Sequence, residues 1–402
     1  VLILQQAGCG YIIHPSLHIP KSAKRVTLGW VTQIEGFSRM TTSPLRAGIV
    51  GLGIGGEHAR GFVRSPHTEL VALCDSDPHR LAQRAAEYGV PPELCFTDYK
   101  TMLAEAKLDV VSICLPNALH AEATIAALEA GAHVICEKPL APSLFEARDM
   151  QRAAEINHRR LMVAYNHRYR ADVLWIRQMI ADGKLGKIYN VYASWRRETG
   201  IPGSGWFSQK HMAGGGAMID LGVHMLDMTL WLLGFPRVQT VSGHVTSYFG
   251  GRGLKVWGSP RWVNDASAEA FSVDDGAVGF LRCEDDLAIS LHASWAEHRQ
   301  PREDIIRLEL SGTEGTAVLN VVNYVRDGTL HFYTEMAGEA VTVTPSLRWN
   351  GIYGHEALIV ESMAALVNNQ PAPADVTHGV IGVQVLEALY ASSQSKREVV
   401  LG

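Results

Sequence analysis

Lys138 is the side chain in this chain whose setting most invites chemistry. It follows the apolar run His133-Val-Ile-Cys136 and Glu137, and Pro139 stops the segment directly after it. An amine brought to the end of a buried strand is a candidate acid or base, because open α/β sheets bind ligands at the carboxyl ends of their strands. A second constellation, Gly214-Gly-Gly-Ala-Met-Ile-Asp-Leu-Gly-Val-His224, spaces Asp220 and His224 four apart, on one face of a helix. Their carboxylate and imidazole can converge on one small site, the acid setting the tautomer or pKa of the base. Two other uses compete: metal ligation, and a packed histidine beside a capping aspartate. The spacing offers no third ligand, so no metal is expected.

A third constellation handles phosphate. Ala47-Gly-Ile-Val50 reads as a buried strand entering Gly51-x-Gly53-x-x-Gly56, and helical sequence follows from Glu57 to Arg64. Glycines in that order serve a tight turn, close approach to a pyrophosphate and helix–strand packing, with the helix N-terminus facing the phosphates. The next strand, Glu69 to Cys74, ends in Asp75, 24 positions after Gly51. A carboxylate there accepts hydrogen bonds from a ribose and repels a 2′-phosphate, which favours NAD over NADP. Asp75 also suits a capping role for the helix starting at Pro78. The cofactor-facing set comprises Gly51, Gly53, Ile54, Gly55, Gly56, Asp75, Pro116, Asn117, His120 and Lys138. Asn117 lies at a strand exit, where a plain turn residue is the alternative reading.

The elements that must position these groups follow from the hydrophobic pattern. Strands at 108–116, 133–136 and 161–165 alternate with helices, which specifies a doubly wound parallel sheet over residues 45–166. Residues 167–188 read as one amphipathic helix ending near Gly183 and Gly186. Strand-like alternation then recurs at 188–195, 238–247, 277–283, 288–295, 305–311, 316–322 and 330–334, and helices near 355–368 and 378–394 follow. That pattern gives residues 167–402 a large, mostly antiparallel sheet, whose open face suits pairing with another copy as a dimer or tetramer. The overall class is α/β. Residues 1–39 show neither period, and 1–44 are expected to be a poorly ordered extension; a natural start at Met40 is one reading, and an export signal with a lipoprotein-like Gln6-Ala-Gly-Cys9 is the weaker other, since no basic segment precedes it.

Composition narrows the partners. With 36 basic and 41 acidic residues in 402, the net charge is −5 and no basic block offers a nucleic-acid footprint. The six cysteines lack C-x-x-C spacing, and several sit in apolar runs, as expected for reduced thiols in the cytoplasm. No apolar run reaches the ~18 residues of a membrane span. The 402-residue length fits two domains.

Taken in order, Gly51-Leu-Gly-Ile-Gly-Gly56, Cys136-Glu-Lys-Pro-Leu140, Tyr165-Asn-His-Arg-Tyr169 and the Gly214–His224 run resemble the Gfo/Idh/MocA oxidoreductases over Arg46 to Leu401. The resemblance implies a Rossmann domain joined to an α/β domain with an open sheet, oligomers built through that sheet, and NAD(H) or NADP(H) as hydride carrier. It implies that Lys138, Asp220 and His224 are catalytic, that Glu137 touches cofactor, and that Asn166 or Arg168 lies near substrate. Residues 1–44 have no counterpart in it.

The expected reaction is hydride transfer between nicotinamide and a secondary alcohol of a polyol, sugar or sugar derivative, with Lys138 or His224 taking the hydroxyl proton. Arg168, Trp206 and Trp195 are candidate substrate contacts, and core packing is the alternative for each tryptophan. Two rival functions share the motifs: a glycosidase that oxidises its sugar transiently with NAD, and a nucleotide-binding regulator without chemistry.

Overall fold

The structure, a computed structural model, describes residues 43–198, 200–201, 205–250, 271–298, 303–349 and 351–402. The expectations for residues 1–42 and for Cys9 lie outside the described residues.

Six short, buried segments form the first sheet: β1 (Leu45–Val50), β2 (Thr68–Cys74), β3 (Cys95–Phe96), β4 (Val110–Ile113), β5 (His133–Cys136) and β6 (Leu161–Val163). They run parallel in the order β3-β2-β1-β4-β5-β6. The order reverses between β1 and β4, the crevice where doubly wound sheets take dinucleotides. The crossovers carry α1 (Gly55–Arg64), α2 (Pro78–Tyr88), α3 (Tyr99–Glu105), α4 (His120–Glu129) and α5 (Leu144–Ile156). Asp77, not Asp75, caps α2 by accepting from the backbone of His79 and Arg80.

The expected helix at 167–188 is interrupted. A 3₁₀ turn, Asn166–Tyr169, precedes α6 (Ala171–Ala181), and Arg170 between them is extended at φ −80°, ψ 140°. Two ion pairs accompany this break: Arg168 with the distant Asp227, and Arg170 with Asp172 in the first turn of α6. After α6 the chain enters β7 (Ile188–Arg197), then α7 (Lys210–Ala213), a π-helical turn at Met218–Gly222 and α8 (Val223–Leu232). Then come β8 (Val238–Thr246), β9 (Gly276–Cys283), β10 (Ala288–Ser294), β11 (Asp304–Gly312), β12 (Gly315–Val322), β13 (Leu330–Met336) and β14 (Glu339–Val343). The chain closes with α9 (Gly354–Val367), α10 (Val376–Ser395) and β15 (Val399–Val400).

The second sheet has nine strands in the order β14-β13-β12-β11-β7-β10-β9-β8-β15, antiparallel except where β10 runs beside β7. Burial alternates along its strands. Leu281, Leu291, Leu308 and Phe332 face the core, whereas Val278, Phe280, Arg307 and Tyr333 stand on the other face. The last two long helices return to the first sheet: α9 lies against α1, and α10 packs on both α5 and β8. Cys74, Cys95, Cys114, Cys136 and Cys283 are free thiols.

Candidate active site

The glycine loop is shaped for close approach. Gly51 sits at φ +89°, and a Cβ on it would stand 2.3 Å from the Cys114 carbonyl oxygen, so only glycine fits. Nothing lies within 4 Å of where a Gly53 Cβ would point, which leaves the outer side of the loop open. Gly55 and Gly56 start α1, and Ile54 before them is exposed and offers no capping side chain. A helix N-terminus uncapped by side chains at an open glycine turn fits a pyrophosphate. Asp75 stands at the exit of β2 and braces this loop: its Oδ2 accepts from Leu52 N at 2.8 Å and its Oδ1 from Asp77 N at 2.8 Å. Arg80 donates to both oxygens at 3.1–3.3 Å. That guanidinium offsets part of the negative charge that would repel a 2′-phosphate.

At the end of β5, Lys138 Nζ reaches Asp220 on the π turn, 3.0 Å from Oδ1 and 3.1 Å from its carbonyl oxygen. Asp220 Oδ2 accepts from Trp295 Nε1 at 3.0 Å. Burial works to raise the Asp220 pKa, but the charges of Lys138 and Arg197 and these hydrogen bonds bring it below its ordinary value. His224 follows on α8, buried, with Nδ1 lacking any hydrogen-bond partner. Burial first, then the Lys138 charge and His167, push its pKa well below that of a free imidazole, so it stays neutral.

The i, i+4 expectation therefore needs correcting. Both Asp220 oxygens are spent on Lys138 and Trp295, so the acid anchors the lysine rather than orienting the histidine. The ring beside His224 is instead His167, with centroids 4.7 Å apart, and Trp195 lies 5.6 Å away. Trp195 itself is buried, its Nε1 donating to Asp304 at 2.6 Å, which is the core-packing reading. Asn166 begins the 3₁₀ turn after β6 and carries a buried, unpartnered Oδ1. Orphaned buried polar atoms are uncommon, and those on Asn166 and His224 fit groups that a bound ligand would satisfy.

Several expected contacts are spent elsewhere. Arg168 is 1% exposed, forked onto Asp227 at 2.5 and 2.9 Å, and faces the rings of Tyr165, Trp231 and Phe235. It belongs to the core, not to a substrate surface. His120 is fully buried, its ring nitrogens 2.8 and 2.9 Å from the Pro139 and Leu115 carbonyl oxygens, so it braces the turn after Lys138 rather than facing cofactor. Pro116 ends the exit from β4, and the Asn117 amide donates to Ala213 O at 2.8 Å, tying that exit to the triple-glycine loop. Trp206 is half-buried against Phe207, with centroids 3.8 Å apart. Glu137 is turned inward. Its Oε1 accepts from His58 Nε2 at 2.9 Å and His355 Nε2 at 3.1 Å, and its Oε2 from Lys138 N at 3.1 Å. Burial opposes ionisation, yet both imidazole hydrogen bonds hold the Glu137 pKa well below its usual range.

Five contributors escaped the sequence reading. Trp295 is distant from Asp220 in sequence and carries no local signal. Asp274 accepts from Gly216 N at 2.7 Å, Met218 N at 3.0 Å and the Tyr390 hydroxyl at 2.7 Å, which fixes the π turn that presents Asp220. A Cβ on Gly216 would collide with the Asp274 carbonyl oxygen at 1.8 Å. His58 and His355 meet Glu137 from two distant helices. His167 stood inside a quoted motif, but nothing in its spacing pointed to His224.

Comparison with known proteins agrees with this geometry. Residues 45–165 match the GFO/IDH/MocA oxidoreductase family with its NAD-binding Rossmann fold, and residues 173–318 match a GFO/IDH/MocA C-terminal domain. D-glucoside 3-dehydrogenase of Escherichia coli K12 is 34% identical over 370 residues, 90% of this chain and 99% of that protein. Levoglucosan dehydrogenase of Pseudarthrobacter phenanthrenivorans is 30% identical over 293 residues, 69% of this chain and 73% of that protein. The solved structure of a levoglucosan dehydrogenase in complex with NADH superposes with a TM-score of 0.76 at 25% identity, covering 90% of this chain and all of that one.

Proposed function

The chain belongs to the GFO/IDH/MocA family of NAD-binding oxidoreductases, and from that premise we propose that it oxidises a secondary ring hydroxyl of a sugar or glycoside. The convergence of Lys138, Asp220 and His224 at the strand ends of the first sheet carries this reading. NAD, held by the Gly51–Gly56 loop and Asp75, supplies the hydride acceptor. Neutral His224 takes the hydroxyl proton. Lys138, fixed on Asp220, keeps a positive charge where the substrate oxygen becomes negative, the preorganised stabilisation that lowers such barriers most. Asn166, through its orphaned oxygen, and Trp206 are the proposed substrate contacts.

Residues 45–166 serve as the nucleotide half and 167–402 as the substrate half. The outward face of the second sheet, with Val278, Phe280 and Tyr333, is the proposed homo-oligomer surface in a dimer or tetramer. Among the described residues no helix is long and apolar enough to cross a membrane. The free, mostly buried thiols support a cytoplasmic enzyme.

A screen of NAD⁺ and NADP⁺ reduction over glucosides, anhydrosugars, inositols and uronates tests the assignment. Nicotinamide reduction in step with keto-sugar formation is expected. Hydrolysis of a glycoside without net reduction would replace it with the glycosidase reading.

A further inference from the structure

We propose that His58, Glu137 and His355 form a binding site for a divalent transition-metal ion, beyond the redox chemistry and independent of it. Their ligand atoms all lie within 4.8 Å of one another, and both imidazole Nε2 atoms already stand 2.9 and 3.1 Å from Glu137 Oε1. Tetrahedral zinc with bonds near 2.05 Å needs ligand separations of about 3.3 Å, so two edges of the triangle are set to within half an ångström.

The outer contacts are those of a metal site. His58 Nδ1 is 3.0 Å from Ser112 Oγ, and Glu137 Oε2 is occupied by the Lys138 N–H. When Nε2 turns to the metal, the His58 proton moves to Nδ1 and is donated to Ser112, which fixes the ring as metal-bound histidines are commonly fixed. The His58 ring changes tautomer in this step, so no charge is lost or gained on it. Two imidazoles and one carboxylate select zinc, manganese, iron or cobalt over magnesium and calcium. His58 is fully buried and His355 is 16% exposed, so the ion enters from the His355 side, where its fourth position lies.

The site joins three separate elements. His58 lies on α1, Glu137 at the exit of β5 and His355 on the first turn of α9, 218 residues beyond Glu137. A bound ion would clamp α9 onto the nucleotide half beside Lys138. The sequence spacing concealed the cluster because no two of its ligands share an element.

The test titrates chelator-treated full-length protein with Zn²⁺, Co²⁺ and Mn²⁺ by calorimetry, without nucleotide, following cobalt also by its visible spectrum. One equivalent should bind per chain, and Zn²⁺ should raise the unfolding temperature. His355→Ala should weaken binding at least tenfold, and Ser112→Ala by about 10–100-fold. His355→Asn keeps a donor for Glu137 and removes the ligand nitrogen, so it gives the same loss if the alanine variant does not fold. Absence of saturable binding for all three ions overturns the proposal, as does binding that both His355 variants leave within twofold. The cluster is then a hydrogen-bond network only. Because no nucleotide or sugar is present, either result leaves the dehydrogenase reading to its own test.

Discussion

Arg168→Leu separates a structural arginine from a substrate-binding one. The Arg168 guanidinium is forked onto Asp227 and gives a third bond to Pro373 O at 2.8 Å, all of it out of solvent. Removing the cation strands a carboxyl whose pKa burial already raises, and breaking such a buried pair from one side costs about 3–5 kcal/mol. Against a native stability of about 5–15 kcal/mol, that is a fifth or more of the total. Urea denaturation followed by circular dichroism should show this loss. Arg168→Leu/Asp227→Leu should recover most of it, since an apolar pair of similar volume is often no worse than the ion pair. Substrate KM, measured on folded protein, should move less than twofold in the double variant. A stable single variant with a tenfold rise in KM would refute the reasoning and restore Arg168 to the substrate surface.

Asp75→Ala removes the brace on Leu52 and frees Arg80, so the ratio of kcat/KM for NAD⁺ over NADP⁺ should fall about ten- to a hundredfold, the worth of a hydrogen bond to a charged group. An unchanged ratio in steady-state assays with both cofactors would contradict that. Trp295→Phe deletes the donor to Asp220 and should lower kcat by a similar factor with little effect on KM, as determined by initial-rate kinetics. His133 and His378 have pKa values lowered to about 4 and His167 to about 3, each by burial first. The unfolded chain protonates these rings below about pH 6.5 while the native fold refuses the protons. Stability should therefore fall as pH drops from there towards 4, by up to about 1.4 kcal/mol per pH unit for each ring. Urea midpoints that stay level across that window would count against it.

The sequence declared its elements where each strand or helix is a local matter. Buried runs such as Val110–Ile113 and glycines at positive φ such as Gly51 leave a signature in neighbouring residues. The alternation of Ala288–Ser294 did the same for the second sheet. The break at Arg170 left no such mark, because Arg168 turns to Asp227, far along the chain, and hydrophobic periodicity does not register ion pairs, even the neighbouring one of Arg170 with Asp172. Motif spacing singled out Lys138, Asp220 and His224 but misjudged which side chain Asp220 pairs with. An i, i+4 interval says that two side chains share a face, and it is silent about a lysine from another sheet or an indole from another strand. Glu137 shows the same limit. The family resemblance implied a contact with cofactor, whereas its side-chain neighbours in space include two imidazoles from distant helices.

Single-turnover formation of reduced nicotinamide, with enzyme in excess over an accepted sugar, tests the central claim most directly. Lys138→Met and His224→Asn should each slow that step by about 10²–10⁴-fold while NAD⁺ still binds within a few-fold of wild type. Reduction at the wild-type rate in either variant would contradict the assignment of these two residues to the chemistry.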